Sequence, residues 1–148
     1  MTPSGPIASD ERIVGVMIQL ARADRSHRMI VAGSRSSEVL LELRRRGYWR
    51  VTTTRACRNS CSRHDVALVT WRDRSVGCIE TTLDQVAHFL SAAGVLIVWI
   101  GPHERTPNRA LRPALERLGF RIESGTCCEN GVAVCARRLE SDPVADVA

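Results

Sequence analysis

Residues 29–37 read MIVAGSRSS. Met29, Ile30, Val31 and Ala32 are apolar with no polar residue between them, and Gly33 closes the run. A strand with one wet face alternates apolar and polar side chains, whereas a strand covered on both faces does not, so this run predicts a buried parallel strand. Ser34, Ser36 and Ser37 follow, and Ser36 or Ser37 can cap a helix. That helix is expected to turn Val39, Leu40, Leu41 and Leu43 inward. Arg44, Arg45 and Arg46 fill its last turn, where cations suit the helix dipole, and Gly47 is a fitting stop.

The same alternation continues downstream. Tyr48 to Thr54 is β-rich and reads as a second strand, and residues 55–64 read as a polar loop. Val66 to Trp71 predicts a third strand and Arg72 to Gly77 a loop. Thr81 or Thr82 can cap a helix running to about Ala92, with Leu83, Val86, Ala87 and Leu90 buried and Gly94 as its stop. Val95 to Ile100 is the most apolar segment and predicts a central strand, broken by Gly101 and Pro102. Thr106 followed by Pro107 signals a helix start, and Leu111, Ala114, Leu115 and Leu118 place that helix on the sheet up to Gly119. Phe120–Thr126 and Val132–Arg138 read as strands around Glu129, Asn130 and Gly131, and Asn-Gly is a strong hairpin signal.

Upstream, Ile13, Val16, Met17, Leu20 and Ala21 recur at helical spacing behind a cap at Asp10. Residues 1–9 are expected to form a flexible arm, residues 10–139 one α/β domain and residues 140–148 a flexible tail. The fold class this predicts is three-layer and doubly wound. Its sheet is six-stranded and mostly parallel, with a C-terminal antiparallel hairpin.

Composition narrows the chemistry. All 21 positive residues among the 148 are arginines. A Walker-type phosphate loop and a Schiff-base enzyme both need a lysine amine, so both are excluded. Charge is uneven: +8 over residues 22–74, −2 over 75–148 and −1 over 1–21. A basic half can attract nucleic acid or other anions. Single-strand binders interleave aromatics with charge, and aromatics are only 4% here, so nucleic acid is not the expected partner. The first 30 residues lack the basic start and apolar stretch of a secretory signal, and no run of about 18 apolar residues occurs. The six cysteines are therefore expected to be mostly reduced and the chain cytoplasmic, with no membrane span.

At this point the chain resembles the class I S-adenosylmethionine-dependent methyltransferases. The likeness rests on three stretches. Leu90 to Val98 looks like the family's helix-to-strand step. Leu115 to Glu123, followed by Val132 to Arg138, looks like its closing helix and hairpin. His64 to Val69 looks like its fourth strand, which typically begins with Asp, here Asp65. The resemblance implies a last strand that is antiparallel and inserted beside the fifth, and S-adenosylmethionine bound at the first turn. Two departures stand beside it. The family's third strand and flanking helices have no room in the ten or so residues between the second and third predicted strands. The family's acidic residue and three alternating glycines align here with Val31, Gly33, Arg35 and Ser37, so one glycine survives. The acid that usually follows the second strand is replaced by Thr53, Thr54 and Arg55.

The candidate cofactor-binding residues are Gly33, Ser34, Arg35, Ser36, Ser37, Thr54, Trp71 and Arg72. Ligands in open α/β sheets bind beyond the carboxyl ends of the strands, and a helix N-terminus favours an anion. Asp73, His103 and Glu104 should share that face. Cys57, Cys61 and His64 have ligand-type residues at irregular spacing, with Cys127 or Cys128 as further donors, but no metal is expected. No nucleophile elbow occurs. The leading expectation is a methyltransferase-like module with a degenerate cofactor site, non-catalytic and recognising a small anionic or nucleoside-like ligand. The alternatives are an active small methyltransferase and an arginine-rich nucleic-acid-associated domain. The missing sheet edge points to a homodimer.

Overall fold

The computed structural model describes residues 5–33, 35–54, 56, 63–71, 76–101, 107–128 and 131–138. Ten elements follow in the order α1 (Gly5–Ala21), β1 (Met29–Gly33), α2 (Ser36–Arg45), β2 (Val51–Thr53), β3 (His64–Trp71), α3 (Val76–Phe89), β4 (Leu90–Ile100), α4 (Pro107–Arg117), β5 (Phe120–Cys128) and β6 (Gly131–Arg138). One six-stranded sheet has the order β2-β1-β3-β4-β6-β5. β2, β1, β3 and β4 are mutually parallel, and β6 runs antiparallel between β4 and β5. This is the expected doubly wound sheet with its inserted antiparallel strand, and β2 stands at the edge.

The layers follow from side-chain alternation along the strands. Ile30, Ala32, Ala67, Val69, Leu96 and Val98 point to one face, where α3 and α4 cover them with Ile79, Leu83, Val86, Leu111 and Leu115. Met29, Val31, Val66, Leu68, Val95 and Ile97 point to the other, under Ile13, Val14 and Met17 of α1 and Val39 and Leu43 of α2. Both neighbours of each inner strand residue are thus apolar, which is why these strands read as unbroken apolar runs. Cys135 of β6 lies buried on the α1 face, and burial pushes its thiol up in pKa. A protonated, enclosed thiol packs as a small apolar group.

Several boundaries differ from the sequence reading, each for a tertiary reason. α1 starts at Gly5, ahead of Asp10, so residues 5–9 are helical where an arm was expected. In α2 only Val39 and Leu43, one helical repeat apart, are fully buried; Leu41 lies on the far side and is 61% exposed. β2 is reduced to Val51–Thr53 because only these residues pair with β1. α3 starts at Val76, inside the expected loop, and ends at Phe89. β4 then begins at Leu90, which pairs with His64 before the register slips ahead of Val66. Sequence spacing assigned Leu90–Ala92 to the helix; pairing with β3 overrides that local preference. Gly94 stops no helix: a Cβ there would collide with the Leu90 side chain.

Charged groups tie the layers at their ends. Arg46 donates to Glu42 at 2.8 Å and to the Glu11 carbonyl at 2.9 Å, joining α2 to α1. Asp65 accepts from the Arg28 backbone N–H at 2.9 Å while its own N–H donates to the Arg28 carbonyl, fixing β3 beside β1. Arg138, the last residue of β6, donates to the carbonyls of Ala87 and Leu90 at 2.7 and 3.3 Å, so its guanidinium closes the C-terminal end of α3.

Candidate functional site

Four parallel strands bring the ends of β1, β2, β3 and β4 to one edge. Register places Gly33 opposite Thr70, Thr70 opposite Trp99 and Trp71 opposite Ile100. The turn after β1 is built on two left-handed residues: Gly33 at φ 94° and Arg35 at φ 55°. Gly33 is required for a second reason. A Cβ there would fall inside contact distance of the Thr70 carbonyl oxygen. This glycine therefore lets β1 and β3 approach, whatever else it does.

Arg35 is the N-cap residue of α2 and gives it no side-chain cap hydrogen bond; its carbonyl accepts the first helical bond, from Val39 N–H at 3.1 Å. The expected serine cap is thus replaced: Ser36 and Ser37 lie in the first turn. The turn needs the left-handed conformation at residue 35 and the helix starts one residue later. Left-handed geometry costs an L-residue about 1–2 kcal/mol, partly offset in glycine by greater unfolded-chain entropy. Arg35→Gly is accordingly expected to stabilise the fold by about 0.5–1 kcal/mol, read as a higher urea midpoint. A lower midpoint would mean that the arginine side chain contributes more than the strain removes.

The end of β2, where the resemblance implies a ribose-binding acid, has its own local chemistry. Thr54 is half-buried and its N–H donates to the Val31 carbonyl at 3.2 Å. Thr53 closes a turn: its carbonyl and hydroxyl oxygens accept from Ala56 N–H at 3.1 and 3.3 Å. The hydroxyl is occupied by the chain's own backbone and presents no carboxylate.

Trp71 was expected to face a cofactor. Its ring is instead 3% exposed within the core under α3 and α4, and its indole Nε1 is buried without a hydrogen-bond partner. Its carbonyl accepts from Gly101 N–H at 3.1 Å. The structure thus brings Gly33, Arg35, Ser36, Ser37, Thr54 and Trp71 to one edge. Ser34, Arg72, Asp73, His103 and Glu104 lie outside the described residues.

The cysteine-loop reading divides in the same way. Cys57 and Cys61 lie outside the described residues, and His64 is not at the ligand edge at all. It is buried at the start of β3, with Nδ1 3.2 Å from the Phe89 carbonyl and its ring edge-on to Phe89. Among the described residues no cluster of three metal-ligating side chains occurs. A hollow of about 150 Å³ between α3 and α4 is lined by Glu80, Ala114, Arg117 and Leu118 and spanned by the Arg117–Glu80 ion pair. It is smaller than the roughly 300–1,000 Å³ that small-molecule sites occupy.

Compared by sequence, the chain matches no family model and no curated protein. Compared by structure, it is similar to a precorrin-6y C5,15-methyltransferase from Geobacter metallireducens, with TM-score 0.63 at 15% identity over 93% of each chain. It is also similar to the magnesium protoporphyrin IX methyltransferase of Synechocystis, solved with S-adenosylmethionine bound. There the TM-score is 0.59 at 13% identity, over 93% of this chain and 86% of that one. A precorrin 8W decarboxylase from Methanobacterium thermoautotrophicum gives TM-score 0.56 at 16% identity over 94% and 93%. The chain therefore has the class I methyltransferase-like fold. Identities this low carry the fold alone, and one of the three similar proteins is named for a reaction other than methyl transfer. Among the described residues no helix is long and apolar enough to cross a membrane.

Proposed function

We propose that the chain is a methyltransferase-fold binding module that takes a small anion at its Gly33–Ser37 turn and does not transfer methyl groups. The observation that carries this reading is the commitment of the turn to the fold. Gly33 is held by the approach of Thr70, and a charged arginine occupies the second left-handed position. The residues present do not fit a nucleoside cofactor. No carboxylate follows β2 to accept from ribose hydroxyls, and the Thr53 hydroxyl already serves Ala56. An anion fits better. The first turn of α2 offers N–H groups with no side-chain cap from Arg35, and the exposed Arg35 adds a positive charge.

A second reading, an active small methyltransferase, is favoured by the backbone of the turn, which keeps two left-handed residues ahead of a helix. Calorimetry separates the two. S-adenosylmethionine and its demethylated product are expected to give no binding heat, whereas inorganic phosphate or sulfate gives a weak signal that Arg35→Gln diminishes. Micromolar binding of either nucleoside overturns the proposal in favour of the second reading.

A further inference from the structure

The edge opposite this turn has a different character. Parallel strands place the loops that enter β1, β2 and β3 side by side, and these loops are bonded together. Arg25 Nε donates to the Arg46 carbonyl at 3.1 Å, and Met29 N–H donates to the Arg50 carbonyl at 2.8 Å. Arg28 and Asp65 bond each other's backbone across β1 and β3. The exposed side chains there include Arg22, Arg25, Arg28, Arg44, Arg50 and Arg63. Among the described residues none of these six forms an ion pair. The nearby carboxylates are already engaged: Asp24 accepts from Ser26 Oγ at 2.6 Å and Asp65 from Arg28 N–H.

Trp49 lies in the middle of these loops. It is 76% exposed, while Trp71 and Trp99 are almost fully buried. Its backbone is not loose. Tyr48 before it is buried and its N–H donates to the Leu43 carbonyl at 3.0 Å, and Arg50 after it is bonded to β1. A chain with 4% aromatic residues thus holds an indole in solvent on a fixed mount, inside its most basic segment. Unpaired guanidiniums draw phosphates, and an exposed indole offers a stacking face to an unpaired base.

We propose that this edge binds single-stranded nucleic acid, with Trp49 as the stacking platform and the surrounding arginines as phosphate contacts. Duplex bases are stacked on one another and offer no free face, which selects the single strand. A second copy of the chain is disfavoured, because a two-fold contact here would bring like charges together. One indole is also far from the continuous apolar face that holds a helix on a membrane. The proposal concerns the edge remote from Gly33 and stands or falls separately from ligand binding there.

The test is fluorescence anisotropy of the full chain with labelled oligouridylate and oligothymidylate at low salt. The expected result is micromolar binding to one or both, weakening with salt at a log–log slope of about −2 to −3.5, as for about three to five phosphate contacts. Trp49→Ala is expected to weaken binding about tenfold or more, and Trp49→Phe to retain most of it. Since Trp49 is exposed, neither change should alter the circular dichroism spectrum. Replacing Arg22, Arg28 and Arg50 together by glutamine should flatten the salt slope. The proposal is overturned by no binding at low salt, by Trp49→Ala binding as the parent does, or by equal affinity for a duplex of the same length. Binding to anionic vesicles but not to oligonucleotides overturns it too, and assigns the edge to membranes.

Discussion

Gly33→Ala is expected to destabilise the protein by about 3–5 kcal/mol, far beyond the effect of an ordinary added methyl. Two costs combine. The residue sits at φ 94°, where an L-side chain is strained by about 1–2 kcal/mol. The new methyl also meets the Thr70 carbonyl at the last pair of the β1–β3 ladder, and the collision is with backbone rather than with a side chain that could swing away. Relief requires β1 and β3 to part at this last pair, next to Ala32 and Val69, which are buried in the core. Urea unfolding measures the loss. A loss of only about 1–2 kcal/mol would mean that strain alone acts at this position, and that the glycine is kept for something other than strand approach.

Phe120→Ala is expected to cost about 3–5 kcal/mol, lowering the melting temperature by roughly 10 °C in a chain of this size. Phe120 opens β5, is fully buried, and fills the end of the core under α3 and α4. The Arg138 guanidinium lies over its ring at 5.1 Å while closing the end of α3. Removing the ring therefore opens a cavity and takes away the surface on which that guanidinium rests. Arg138→Met should show the coupling in a double-mutant cycle, with the two losses less than additive. Strict additivity would mean that the ring and the guanidinium act independently.

The fold was legible because its central strands are covered on both faces, and such strands declare themselves as unbroken apolar runs. Met29–Ala32 and Val95–Ile100 both read correctly on that signal. The hairpin was legible from Asn130 and Gly131; β5 and β6 pair as far as Cys128 and Gly131, and residues 129–130 between them lie outside the described residues. Boundaries set by pairing were not legible. Nothing local marks Leu90 as a strand residue, because its partner His64 is remote in sequence. At the turn, the sequence located the edge of the sheet but gave neither the helix cap nor the direction of the Trp71 ring. A serine is the better local cap, yet the backbone path after Gly33 puts Arg35 there. Trp71 stands at the end of its strand, and only the sheet's alternation shows that its ring turns into the core. Trp49 was read as part of a strand; a signal was present in the arginines on its C-terminal and upstream sides, but its exposure depends on where β2 begins.

The central proposal is that the first turn is shaped by the packing of the sheet and does not receive an adenosyl group. Thermal unfolding with and without millimolar S-adenosylmethionine tests it most directly, because any ligand bound to the folded chain alone must stabilise it, by about 2.7 kcal/mol at a hundredfold excess over its dissociation constant. The account predicts superimposable transitions. A melting temperature raised by several degrees would contradict it.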